Sequence, residues 1–249
     1  MITVIHYNSR KLKINLAEPL DISIPLRGDA SNVNAWYLDP PKIEPETIDG
    51  QVISVKEGAS VNFNTITFNP HAHGTHTETI GHITKENYPI NSYLKQFFFL
   101  AEVVSVAPEK QNDDYVISAK QLQFAIGNKK REALVIRTLP NMGDKRSKQY
   151  SHTNWTYLEE DAVKLLVRKD IKHLLIDLPS VDKEEDGGEL LGHKAFWNLN
   201  GRRRTDATIT EMVYVPNMIE DGTYFLNLQI APFVNDASPS KPILYKVME

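Results

Sequence analysis

Four of the eight histidines fall within twelve residues, at His71, His73, His76 and His82 in the run H-A-H-G-T-H-T-E-T-I-G-H, and Glu78 stands among them. Neutral imidazole and carboxylate are the donors that zinc, manganese and similar divalent ions accept when thiolate is absent. The chain holds no cysteine, which removes a disulfide scaffold, a thiol nucleophile and any Cys-ligated zinc or iron–sulfur centre in one step. His76 and Glu78 are two residues apart, the spacing that turns two side chains to one face of an extended segment. Gly74 permits a tight turn that would bring successive side chains onto one centre. Asn69-Pro70 and Gly81 also fit a plain histidine-rich loop, so the run by itself speaks for metal binding and not yet for catalysis.

The elements around this run alternate. Short β-rich stretches come first, Ile2 to Tyr7, Lys11 to Leu16, Ile22 to Leu26 and Val52 to Val55. Residues 28 to 50 read as a long loop carrying Trp36 and Tyr37, of the kind that forms a lid, a pocket wall or an arm reaching a partner subunit. Ser118 followed by Gln121 is a capping box that opens a helix ending at Gly127-Asn128. Thr156 and Glu159 repeat that spacing before a helix whose Leu158, Ala162, Leu165 and Leu166 share one face. Ala133 to Thr138 and His173 to Leu178 read as buried strands, Gly188 to Trp197 as a third helix, and Thr208 to Val215, Tyr224 to Ile230 and Ile243 to Val247 as further strands. This is an α/β pattern without internal repeat or low-complexity linker, so residues 1–249 are read as a single domain.

Composition narrows the function. With 249 residues and 41% hydrophobic content the chain can bury a large core. A formal net charge of -4 argues against a nucleic-acid partner, and the one dense basic run, Arg202, Arg203 and Arg204 beside Gly201, reads as a solvated loop. No apolar run reaches the roughly 18–20 residues of a spanning helix, and the first residues lack the layout of a secretion signal, so a cytoplasmic protein without a membrane partner is expected.

The histidine run resembles the signature His-x-Gly-Thr-His-x-Asp-x-Pro-x-His of the cyclase family of metal-dependent hydrolases, which includes kynurenine formamidase (arylformamidase) and isatin hydrolase. Asp21-Ile22-Ser23-Ile24-Pro25-Leu26 is similar to the family's early Asp-Leu-Ser-x-Pro-Leu strand, and Leu134-Val135-Ile136-Arg137-Thr138 to its Leu-x-Ile-Arg-Thr strand. Asp177-Leu178-Pro179-Ser180-Val181-Asp182 is similar to a further segment, Asp-x-Pro-Ser-x-Asp. These stretches run in family order from about residue 20 to about residue 215. The resemblance implies a swivelling β/β/α domain, assembled as a homodimer or homotetramer.

It also implies roles. His76 and Glu78 take the positions of metal ligands, Glu78 standing where the family has Asp, and His82 takes that of the catalytic acid/base. The first signature histidine falls on Ala72, flanked by His71 and His73; His71 is favoured, on the expectation that the extra residue forms a bulge that re-aims its side chain. His193 in Leu191-Gly192-His193-Lys194 and Glu211 in Thr208-Ile209-Thr210-Glu211 match the later histidine and glutamate that complete the metal site, although the three-arginine loop lengthens their separation. The alternative for His193 is a helix-face residue packing on Trp197. Glu211 has a further argument, because a lone acid in an otherwise buried-looking strand is costly unless paired or metal-bound.

The implied function is hydrolysis of an amide or formamide, linear or cyclic, in a small-molecule substrate, arylformamidase-like, with one or two zinc or manganese ions activating water and His82 carrying the proton. A serine hydrolase would need a nucleophile elbow, and G-x-S-x-G does not occur. The competing reading is a metal- or ligand-binding protein that keeps the fold without turnover, motivated by Glu78 and the shifted first histidine.

Overall fold

The computed structural model describes residues 1–7 and 10–248. Strands β1 (Ile2–Tyr7) and β2 (Arg10–Asn15) pair as an antiparallel hairpin. The body is a barrel of seven strands, β3 (His76–Glu78), β4 (Phe98–Val106), β5 (Ala133–Thr138), β6 (His173–Ile176), β7 (Thr208–Glu211), β8 (Gly222–Ile230) and β9 (Ala237–Met248). Their order is β9-β8-β4-β5-β6-β7-β3, and β3 pairs back onto β9 to close the ring. The far end of β9 carries the β1–β2 hairpin.

Strands β4 to β7 run parallel, and the other joins are antiparallel. Parallel neighbours need crossovers. Helices α1 (Ala119–Ile126), α2 (Glu160–Arg168) and α3 (Leu191–Phe196) supply them in turn between β4, β5, β6 and β7. Strand β5 is buried along its whole length because it separates two cores: Leu134 and Ile136 pack towards Leu122, Ile126 and Leu166 of the helices, while Ala133 and Val135 join Val103, Leu175 and Leu226 on the other face. A strand covered on both faces shows a continuous apolar run in place of alternation. The α/β class expected from the sequence is therefore the one found.

Several local expectations change: residues 22–26 form no strand, and of residues 52–55 only Val52 is in one. Helix α1 opens on the Ser118–Gln121 capping box, but α2 begins at Glu160 with no side-chain cap. Tyr157 and Leu158 pair in parallel with Val116 and Ile117, and the amides of Leu158 and Glu159 bond to the carbonyls of Val181 and Ile117. Those bonds keep the chain extended through residue 159, so Thr156 lies outside the helix. The loop expected at 28–50 continues into an arm, in which Lys42–Pro45 pairs with Asn64–Thr67 and Thr47–Ile48 with Gln51–Val52. None of residues 42–67 is buried. Among the described residues no helix is long and apolar enough to cross a membrane.

Candidate metal centre

Strand β3 is three residues long, wholly buried, and held between β7 and β9 at the closure of the barrel. Alternation along it puts His76 and Glu78 on one face and Thr77 on the other, where its hydroxyl meets that of Thr210 at 2.8 Å. Glu211 lies directly opposite His76 in the register with β7, so their side chains meet: His76 Nε2 stands 3.4 Å from Glu211 Oε2. Glu211 Oε1 accepts from the amide of Val181 at 2.9 Å, which fixes the carboxylate.

The histidine before β3 comes from a single helical turn, Pro70–His73. Asn69 caps it by accepting from the amide of His71 at 2.9 Å, and proline occupies its first position, a combination that favours a helix start. His71 therefore reaches the cluster by a helical turn and not by the expected bulge. Its Nδ1 is 3.1 Å from Glu78 Oε2, and its ring lies 5.0 Å from that of His76. His73 turns away, its Nδ1 accepting from the amide of Asn69 at 2.8 Å. Gly74 is extended, so the tight turn it could have supplied is not used.

His82 follows on the turn Ile80–Ile83, capped by Thr79. Its ring stacks on His71 with centroids 4.2 Å apart, and its Nδ1 lies 3.8 Å from Glu78 Oε2. His193 comes from the far side, on α3. The Asp182 carboxylate accepts from the amides of Gly192 (2.5 Å) and His193 (3.1 Å) and bonds His193 Nδ1 at 2.5 Å. A side chain at Gly192 would sit 2.7 Å from Asp182 Oδ1, which is why glycine stands there. His193 Nε2 then reaches Glu78 Oε1 at 3.1 Å while the ring still lies 5.5 Å from Trp197, so the residue faces the cluster and packs on the tryptophan at once.

The structure thus gathers His71, His76, Glu78, His82, His193 and Glu211, and leaves His73 outside. Sequence reasoning missed two carboxylates. Asp182 lay in a quoted segment but with no role. Asp236, whose Oδ2 is 3.1 Å from His71 Nε2 and 3.4 Å from His82 Nδ1, sits in an Asn-Asp turn that carries no signature of chemistry.

A divalent ion fits this donor set. His76 Nε2 and Glu78 Oε2 are both buried with no hydrogen-bond partner, although other donors crowd within 3.1–3.4 Å of them. Close approach without hydrogen-bond alignment is what ligands aimed at a common centre show, since donors about 2.0–2.1 Å from a tetrahedral ion stand roughly 3.3 Å apart. His71, His76 and Glu78 each bring one donor atom within 4.8 Å of the others, and Glu78, His82 and His193 form a second such cluster sharing the same carboxylate.

Electrostatics agrees with the geometry. Among the described residues the carboxylates Glu78, Glu211, Asp182 and Asp236 make ion pairs with histidines only. Burial opposes charging of His71, yet its hydrogen bond to Asp236 and the facing Glu78 carboxylate outweigh that and lift its pKa to about 10. His193 is raised in the same way, against its burial, by Asp182 and Glu78. Burial pushes Glu78 up, but the charge of His82, the hydrogen bond and charge of His193 and the facing His71 hold it well below the usual range. Protons on the rings balance the carboxylates here, and a bound cation would take over that work and release them.

Beside the donors lies a cavity of about 310 Å³, lined by Trp36, Leu38 and Leu190 as an apolar wall and by Asn69, Ser180 and His82. Trp36 and Leu190 both hold left-handed backbone conformations, at φ 61° and 47°, which cost non-glycine residues energy and gather at ligand sites.

Comparison with solved structures gives the same architecture. A predicted metal-dependent hydrolase from Bacillus stearothermophilus matches at 17% identity with a TM-score of 0.64, over 92% of this chain and 98% of that one. Isatin hydrolase A from Labrenzia aggregata, bound to benzyl benzoate, matches at 14% identity and 0.67, over 93% and 94%. Isatin hydrolase A from Ralstonia solanacearum matches at 14% and 0.66, over 92% and 91%. At such identities the likeness establishes the fold, which is the swivelling β/β/α arrangement that the family resemblance implied. Comparison with curated proteins by sequence gives no match. The Cyclase family model, however, matches residues 20–183, a stretch that contains His71, His76, Glu78, His82 and Asp182, and the chain therefore belongs to the Cyclase family.

Proposed function

We propose that the chain is a metal-dependent hydrolase that opens the C–N bond of an amide, a formamide or a cyclic amide in a small, partly apolar substrate. The observation that carries this reading is the convergence of His71 Nδ1, His76 Nε2 and Glu78 at the edge of an apolar-walled cavity. His71, His76 and Glu78 would hold a zinc or manganese ion, with His193 and Glu211 able to complete the site or serve a second ion through Glu78. Such an ion, when bound, supplies an activated water and polarises a carbonyl. Trp36, Leu38 and Leu190 would seat the apolar part of the substrate and keep bulk water from the reacting carbonyl. His82, partly exposed at the cavity, would carry a proton to the leaving nitrogen.

The similarity of fold to isatin hydrolases supports a cyclic amide as one substrate to assay first, beside N-formylkynurenine. Purified protein should contain close to one or two equivalents of zinc or manganese by elemental analysis and hydrolyse at least one of these compounds. Bound metal without turnover on amides, formamides or lactones would favour the alternative of a binding protein, and protein that retains no divalent metal would refute the reading.

The proposed assembly is a homodimer or homotetramer formed through the arm. Ile43, Ile48, Val52, Val55, Val61, Phe63 and Ile66 are all exposed on it, and isolated two-stranded ribbons are barely stable in water. Its span, residues 42–67, matches the roughly 20–30 residues a stable interface takes from each partner, and its two feet, Leu38 and Asn69, line the cavity. Sedimentation should find a dimer or tetramer for the native chain and a monomer for Phe63→Asp combined with Ile66→Asp; a monomeric native chain would remove the proposal.

A further inference from the structure

We infer that Asp236 is a positioning residue that fixes the ring orientation and tautomer of both His71 and His82, an assignment that rests on the metal-dependent reading of the site. The argument begins with His71, whose two ring nitrogens face different partners. Nδ1 points at Glu78 Oε2 at 3.1 Å, and Nε2 points at Asp236 Oδ2, also at 3.1 Å. A neutral imidazole carries one lone pair and one N–H, so it can ligate on one side only and donates on the other.

The two sides are not equivalent. On the inner side His76 Nε2 and Glu78 Oε2 are buried with no hydrogen-bond partner, and the His71–Glu78 approach is not aligned as a hydrogen bond. On the outer side the His71–Asp236 contact is a well-formed hydrogen bond. The lone pair therefore belongs on Nδ1, facing the unpartnered donors, and the proton on Nε2, given to Asp236. The same Asp236 oxygen lies 3.4 Å from His82 Nδ1 as a charge contact, so a proton on that nitrogen would face the carboxylate and leave His82 Nε2 bare.

Asp236 is built into this place. Its backbone carbonyl accepts from the amide of Thr79 at 3.1 Å and from the Thr79 hydroxyl at 3.4 Å, and Ala237 beside it is in register with Glu78. A side chain at Gly81 would come 3.1 Å from the carbonyl of Tyr88 and 3.2 Å from both Asp236 Cβ and Thr79 Oγ1, so glycine is what this close packing around the aspartate admits. The pattern also recurs across the site, where Asp182 holds His193 Nδ1 and aims Nε2 at Glu78. Outer carboxylates that accept from a ligand's far nitrogen orient the ring and raise its basicity.

Asp236→Asn keeps the shape and removes the acceptor charge, while its amide group can donate to His71 Nε2 and draw the lone pair to the wrong side. Zinc affinity, read by chelator competition on the metal-free protein, should fall about 10–100-fold with the number of bound ions unchanged. Ring ¹⁵N shifts of the zinc form should show His71 as Nε2–H in the native protein and lose that single state in the variant. With a turned-over substrate, kcat should fall and KM should hold. Loss of one bound ion with the remaining affinity intact would overturn the assignment and make Asp236 a ligand. Unchanged affinity and ring shifts would overturn it outright while leaving the metal reading standing, whereas a native protein that takes up no zinc would overturn both.

Discussion

Replacing His76 with alanine is expected to remove metal and activity together, by about 10³-fold or more in turnover, because several kcal/mol of transition-state stabilisation pass through the ion it would hold and each 1.4 kcal/mol is a factor of ten. The residue is fully buried, and its Nε2 has no hydrogen-bond partner to lose. Its Nδ1 contacts only the carbonyl of Gly74, at 3.0 Å, two residues away. The side chain is thus dispensable for the hydrogen bonds that close the barrel, which run through the backbone of β3. His71→Ala should follow His76→Ala in metal loss, and His73→Ala should retain the ion, since His73 is spent on the amide of Asn69. Metal content of the three variants by elemental analysis, each checked for a cooperative melt, decides the matter. Full occupancy in His76→Ala, or greater loss in His73→Ala than in His71→Ala, would show that the ion is held elsewhere.

How far the sequence carries to this point differs from residue to residue. His76 and Glu78 were legible as a pair because strand alternation acts over two residues and needs no knowledge of the rest of the chain. His71, and not His73, faces the cluster, and it does so from a helical turn and not from the expected bulge, because Asn69-Pro70 starts a helix. Strand β5 announced itself by an unbroken apolar run, since both of its faces are covered. The failed capping box at Thr156 shows the opposite case, in which hydrogen bonds from Ile117 and Val181, distant in sequence, override a local signal. Asp236 was invisible for the same reason. Nothing in Asn235-Asp236-Ala237 predicts that the closure of β9 onto β3 lays this turn against residues 79–82, and the contact exists only once the ring of strands is complete.

That closure also frames the second large effect. His82→Ala is expected to leave metal content nearly intact and to lower kcat by about 10²–10⁴, the usual loss when a general acid–base group is removed. The separation follows from where His82 stands. His71, His76 and Glu78 form a donor group without it, so an ion can stay when its ring is gone. Its ring is partly exposed at the cavity, stacked on His71, with Nδ1 facing Asp236 at 3.4 Å, and Nε2 is left to exchange a proton with a substrate. The competing geometry is also present, because Glu78, His82 and His193 can themselves surround an ion. If that group is the principal site, His82→Ala will shed the metal and His71→Ala will keep it. Measuring bound metal and kcat on the same preparations of both variants separates the two, and metal loss in His82→Ala would move this residue from proton carrier to ligand and require another base for the reaction.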